Sequence, residues 1–241
     1  FERINSLNSE IVLLTAVDTE LPGIADQIAP KIKSGSVLLH ASGALSSDVL
    51  RSAASGGIAT GSIHPLVSVS DPVVGADNFS GAYFCLEGDE SATAAARNIT
   101  AALGGNAFFI DKAFKPLYHA SAVLASGHLV ALISTAVKTL TACGIAPFEA
   151  RNILLPLIKS SVANLAEQLI PAALTGPFAR SDVDAVTRHL DAFDKVGLEA
   201  EKDIYIELGL EALRVAEAGG GNPQNIEMIR KIMMFARNGH K

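Results

Sequence analysis

The stretch Ala113–His128, AFKPLYHASAVLASGH, separates two kinds of sequence. Before it, short apolar runs of strand length alternate with helical ones; after it, nearly everything has helical periodicity. The stretch also sets Lys115, Tyr118, His119, Ser121, Ser126 and His128 on the start of one long, otherwise apolar helix. This is the pattern of a hinge between an α/β domain and a helical domain, and of one wall of a cleft.

Working back toward the N-terminus, five runs read as strands: Glu10–Val17, Ser36–His40, Ile58–Ile63, Gly81–Leu86 and Ala107–Ile110. The first, EIVLLTAV, is nearly continuously apolar, as a strand buried on both faces would be. Helical segments lie between them, ending near Lys33, Ala54 and Leu103, and Asp18-Thr19 is placed to cap the first. Such alternation predicts a largely parallel sheet with right-handed crossovers. Toward the C-terminus, helices are expected over 114–142, 147–169, 182–195, 199–217 and 223–237. Pro147 suits a first helical turn, and Ser181 with Asp184 has capping-box spacing. The expected domains are therefore 1–112 and 113–241.

The chain has 241 residues, 49% hydrophobic and 18% charged, enough for a real core in each part. Its net charge of −6 and pI of about 5.5 argue against a nucleic-acid partner or an anionic membrane surface, which call for a basic stripe. Cys85 and Cys143 have apolar neighbours and no CxxC spacing, as buried thiols in a reducing cytoplasm would. Phe1-Glu2-Arg3 opens no basic-then-apolar signal pattern. Ala120–Val137 contains no Asp, Glu, Lys or Arg, and about 18 uncharged residues is the lower limit for a membrane span. His128 in its middle and the many alanines and serines favour a buried central helix over a span.

Ligands of open parallel sheets bind outside the C-terminal ends of the strands. Three of the expected strands end in polar groups: Asp18, then His40-Ala41-Ser42-Gly43, then His64-Pro65. Each alone reads as a cap, a satisfied histidine or a turn; together on one edge they outline a cleft. The glycine turn that holds a dinucleotide's phosphates, G-x-G-x-x-G, is not present. The α/β part therefore reads as the second half of a dinucleotide-binding domain whose phosphate-binding half is missing from these residues. On the central helix Lys115 and His119 are four apart and share a face, and either, in a dry cleft, can act as a general acid. No Cys/His/Asp cluster has metal-ligand spacing, so no metal is expected at His40, His64 and His119. Arg180, behind Gly176-Pro177 and just ahead of a helix start, is placed to clamp a carboxylate or phosphate.

Five segments together resemble a known family: LHASGALSS (39–47), GSIHPL (61–66), KPLYHASAVLASGHLVAL (115–132), NLAEQLIPAALTGPFARSDV (164–183) and RHL (188–190). They look like the Rossmann-like, NADP/F420-type oxidoreductases that carry a C-terminal domain of unknown function. These are related to pyrroline-5-carboxylate reductase, ketopantoate reductase and the 6-phosphogluconate/β-hydroxyacid dehydrogenases. The resemblance implies a Rossmann-like parallel sheet followed by an all-α domain that builds a homodimer. It also implies hydride transfer between nicotinamide and a small-molecule substrate in the cleft between the domains. Carried over by position, Val17, Asp18, Ser42 and Gly43 would border the cofactor, NADP or NAD. His64, Tyr118 and Arg180 would bind substrate, and Lys115 and His119 would be catalytic. The family's first strand and glycine loop have no counterpart in these residues.

Two functions are then expected to compete. One is a cytoplasmic NAD(P)-dependent oxidoreductase. The other is a non-catalytic dimerising module that binds a nucleotide or small anion, motivated by the apolar helices after Phe114.

Overall fold

The structure, a computed structural model, describes residues 5–71 and 73–238; Phe1-Glu2-Arg3 and Pro72 lie outside the described residues. The chain divides into two compact units, Phe1–Leu129 and Val130–Lys241. The first is a Rossmann-like sheet unit and the second is helical.

In the sheet unit, β1 (Ile11–Leu14), β2 (Val37–His40), β3 (Ala59–Pro65), β4 (Tyr83–Gly88) and β5 (Asn106–Phe109) lie side by side in chain order. Helices α1 (Leu21–Ile28), α2 (Arg51–Ala54) and α3 (Glu90–Ala102) connect the parallel pairs β1–β2, β2–β3 and β4–β5. Between β3 and β4 the described residues form only a 3₁₀ turn, Val74–Phe79, and that pair is antiparallel. The topology follows the connections, because a parallel neighbour needs a long crossover and a direct return does not.

Leu21, Ile24, Ala25 and Ile28 recur at helical spacing on α1 and bury one stripe against Leu14, Leu38 and Leu50. On the other side, Ala92 and Ala96 of α3 lie over Leu39, Ile63 and Leu86. β2 is buried along Leu38–His40, as a central strand should be. β1 is an edge strand with Ile11 and Leu13 exposed, so its apolar run is not covered on both faces. Asp18-Thr19 does not cap α1, whose first turn carries Pro22 and no side-chain cap.

The long helix expected over 114–142 is two: α4 (Lys115–Ala125) and α5 (Gly127–Thr141), broken where Ser126 leaves helical dihedrals. α6 (Pro147–Glu167) follows, with Pro147 in its first turn. Two short helices, α7 (Ile170–Ala173) and α8 (Gly176–Ala179), lead to α9 (Val183–Val196), α10 (Glu199–Ala218) and α11 (Pro223–Asn238). The last three bury Val186, Leu190, Ile206, Leu213, Ile229 and Met233 as the core of the second unit. The expected cap at Ser181 is displaced by one residue: Asp182 accepts the Ala185 N–H, while Ser181 sits at φ +51°.

The central helix is not buried. Lys115 is the buried residue of α4, and α5 has none. The helical stretch Lys112–Thr141 has the length and composition to cross a membrane, with a mean hydropathy of 1.7. Nor is Cys143 a buried thiol: it is exposed, and Cys85 alone is buried.

Candidate active site at the sheet edge

Leu14, His40 and Ser62 pair in one row across β1, β2 and β3, so the three strands deliver their following loops to the same edge. Asp18 lies in the exposed turn after β1, beside Val17, which is 62% exposed.

His40 ends β2 fully buried, and its Nδ1 accepts the Ser42 N–H at 3.1 Å. Burial, then the charge of Lys115, push this imidazole down to about 4. It is therefore neutral at physiological pH. Ser42 Oγ in turn accepts from Ala44 N and Leu45 N, at 3.2 and 3.0 Å. These bonds fix the Ser42–Leu45 turn.

Lys115 opens α4 and is 0% exposed. Its Nζ donates to the Ser42 carbonyl at 2.9 Å and to Ser62 Oγ at 3.1 Å, tying α4 to β3 and to the turn after β2. Burial holds its pKa below the usual lysine value. On the same helix face, Tyr118 Oη stands 2.7 Å from His64 Nδ1. Burial, then the Lys115 charge, lower His64 to about 4. Burial pushes the Tyr118 phenol well up, so it keeps its proton; the tautomer of His64 sets which of the two donates.

His119 lies edge-on to His64, ring centres 6.0 Å apart, with its Nδ1 buried and unpartnered. Gly43 lets both rings close on the backbone. A Cβ there would lie 2.6 Å from His119 Nδ1 and 2.7 Å from His64 Nε2. The set thus brings proton donors and one cation to a half-buried surface, and can stabilise negative charge developing on a bound oxygen.

Of the residues expected from sequence, Ser42, Gly43, His64, Lys115, Tyr118 and His119 come together, with Val17 and Asp18 in the turn following β1 on the same edge. Arg180 is exposed and follows α8 in the second unit. Sequence reasoning missed Ser62, and Cys85, which pairs with His64 across β3 and β4. The signal for Ser62 was available: alternate strand residues share a face, so Ser62 and His64 point together while Ile63 enters the core.

Comparison with known proteins agrees with the fold. The family model described as a domain of unknown function, DUF2520, matches residues 82–212, and a Rossmann-like domain model matches residues 3–65. A Thermotoga maritima protein of known structure is 27% identical, with a TM-score of 0.75 over 88% of this chain and 81% of that one. A candidate NADP oxidoreductase of Bacteroides fragilis is 17% identical, with a TM-score of 0.68 over 88% and 78%. The Plasmodium falciparum pyrroline carboxylate reductase, solved with NADP bound, is 12% identical, with a TM-score of 0.55 over 93% and 77%. No curated protein matches the chain.

Proposed function

Because this chain belongs to the DUF2520 family and carries a Rossmann-like domain ahead of that match, we propose that it is an NAD(P)-dependent oxidoreductase acting on a small molecule. The observation that carries this reading is the Ser42–His64–Lys115–Tyr118–His119 cluster at the C-terminal edge of parallel strands, where such sheets bind their ligands. NADP bound to the Plasmodium falciparum reductase, which shares the fold, supports the cofactor class.

A reduced nicotinamide supplies a hydride. Val17 would offer its nicotinamide end exposed apolar surface, and Gly43 lets the His64 and His119 rings come close to that end. Asp18 and Ser42 complete that border. The G-x-G-x-x-G turn that would hold the phosphates is not in these 241 residues. His119 gives the proton to the substrate or takes it, His64 and Tyr118 orient the reacting group, and Lys115 acts on it through its charge. The free thiols suit a reducing, cytoplasmic setting.

NADPH, then NADH, titrated by fluorescence into this chain and into a longer form carrying a G-x-G-x-x-G turn, tests the cofactor. Micromolar binding by the longer form is expected. Binding by neither overturns the reading and favours the non-catalytic module.

We also propose that the helical unit pairs with a second copy of itself. α6 is 21 residues long, yet Ala150 is its buried residue, and Phe148, Ile153, Leu157, Val162 and Leu165 are at least half exposed. A helix so bare is marginal alone in water. The same unit carries an apolar groove of about 670 Å³ lined by Leu132, Leu140, Leu154, Phe193, Ile204 and Leu208. Ridge and groove on one unit make the surface self-complementary. A bilayer fits less well, because Lys115, at the start of the membrane-length stretch, is docked on the sheet.

A further inference from the structure

We infer that the cluster is built for a carbonyl/alcohol pair and not for an imine/amine pair; this rests on the oxidoreductase reading above. The two pairs differ in the sign of charge at the reacting atom. Reducing an imine passes through an iminium cation and ends as an ammonium, so the site needs a carboxylate beside it. Reducing a carbonyl builds negative charge on oxygen, so the site needs donors and a cation.

The cluster has the second composition. Among the described residues, no carboxylate forms an ion pair with Lys115, whose two hydrogen bonds go to uncharged oxygens of Ser42 and Ser62. Glu87 and Asp18 act on its charge through space alone, without a direct contact. The buried acid Glu87 already has its hydrogen bonds made: its two oxygens accept from Ser47 N at 2.6 Å and Ser47 Oγ at 3.0 Å. Asp18 is exposed in the turn after β1. The remaining groups are the Tyr118 hydroxyl and two imidazoles, with Tyr118 and His64 joined at 2.7 Å and His64 and His119 packed edge-on. An oxygen offers two lone pairs to such donors; an imine nitrogen offers one, and once protonated it offers none.

With a reduced nicotinamide bound, the carbonyl carbon would gain its hydride, the π pair would move to oxygen, and the oxygen would take a proton from the imidazolium form of His119. The products would be the alcohol, the oxidised nicotinamide and the neutral imidazole of His119, which regains its proton from solvent. Alcohol oxidation is the reverse.

The test uses the chain as it is, without nicotinamide. Isobutyramide and isobutylammonium share a carbon skeleton, but one presents a neutral carbonyl oxygen and the other a cationic nitrogen. Each is titrated while the ring ¹⁵N resonances of His64 and His119, assigned with His64→Gln and His119→Gln, are followed. Isobutyramide is expected to shift both rings at millimolar concentration, with isobutylammonium at least tenfold weaker. Lys115→Met should erase that preference. Equal or tighter binding of the ammonium by the unaltered chain overturns the inference, as does failure of both probes to move either ring. A carbonyl preference in a chain whose longer form binds no NAD(P)H would sink the oxidoreductase reading and leave the oxygen site standing. The opposite pair of results would sink the substrate class alone.

Discussion

The ammonium of Lys115 and the carbonyl of Ser42 meet at 2.9 Å across 73 residues of sequence, and with Ser62 Oγ this contact holds α4 against the sheet. Lys115→Met keeps the volume and removes the donor, leaving a buried carbonyl unpaired. A loss of about 1–3 kcal/mol of stability is expected from urea unfolding. The same variant should raise the His64 and His40 pKa values from about 4 toward the ordinary 6.5, because Lys115 is the second cause of both depressions after burial. Histidine proton NMR reads that shift; unmoved resonances would mean that the Lys115 charge does not reach the rings.

Acid should destabilise the sheet unit earlier than its carboxylates would require. His40 titrates near 4 in the fold and near 6.5 when unfolded, so the unfolded chain binds the extra proton first. Stability is full above pH 6.5 and is lost as pH falls toward 4, with His40 contributing a slope of at most about 1.4 kcal/mol per pH unit. Thermal unfolding at pH 7 and pH 5 checks this. His40→Gln, which cannot take up the proton, should show a shallower acid dependence than the unaltered chain.

Gly43 is the tightest point of the cluster. An added Cβ would fall 2.6 Å from His119 Nδ1, and either imidazole must move to admit it. Gly43→Ala is expected to lower turnover at least tenfold, since small misplacement of catalytic groups costs about that much or more. Helical circular dichroism should be unchanged. Full activity in this variant would remove His64 and His119 from the reaction.

Much of this was legible in the sequence, for reasons visible in particular residues. The strands and crossovers follow from short runs such as SVLLH, Ser36–His40, because a buried strand must be apolar over several consecutive positions. Lys115, Tyr118 and His119 were readable as one face because helical spacing fixes it. The antiparallel β4 was less legible, since the direction of a strand depends on the connection before it, and a 3₁₀ turn such as Val74–Phe79 leaves no strong periodicity. Ser62 was hidden because a serine within an apolar strand carries no chemical signal until Lys115 arrives from 53 residues away. The exposure of α5 was invisible for a different reason: an apolar sequence states that a surface must be covered, not by what.

That exposure leads to the last prediction. Leu157 and Leu165 lie eight residues apart on one side of α6, 63% and 56% exposed. Left in water on a solitary helix with Pro156 inside it, they would gain nothing from the fold that presents them. If a second copy covers them, the unaltered chain should sediment as a dimer at micromolar concentration. A Leu157→Asp, Leu165→Asp double variant should then sediment as a monomer, with reduced helical signal, because two carboxylates cannot be buried unpaired at such an interface. The sheet unit reports separately through its histidine resonances, which should not change. A monomeric unaltered chain would overturn the pairing. Sedimentation only with added detergent would instead assign the apolar face to lipid.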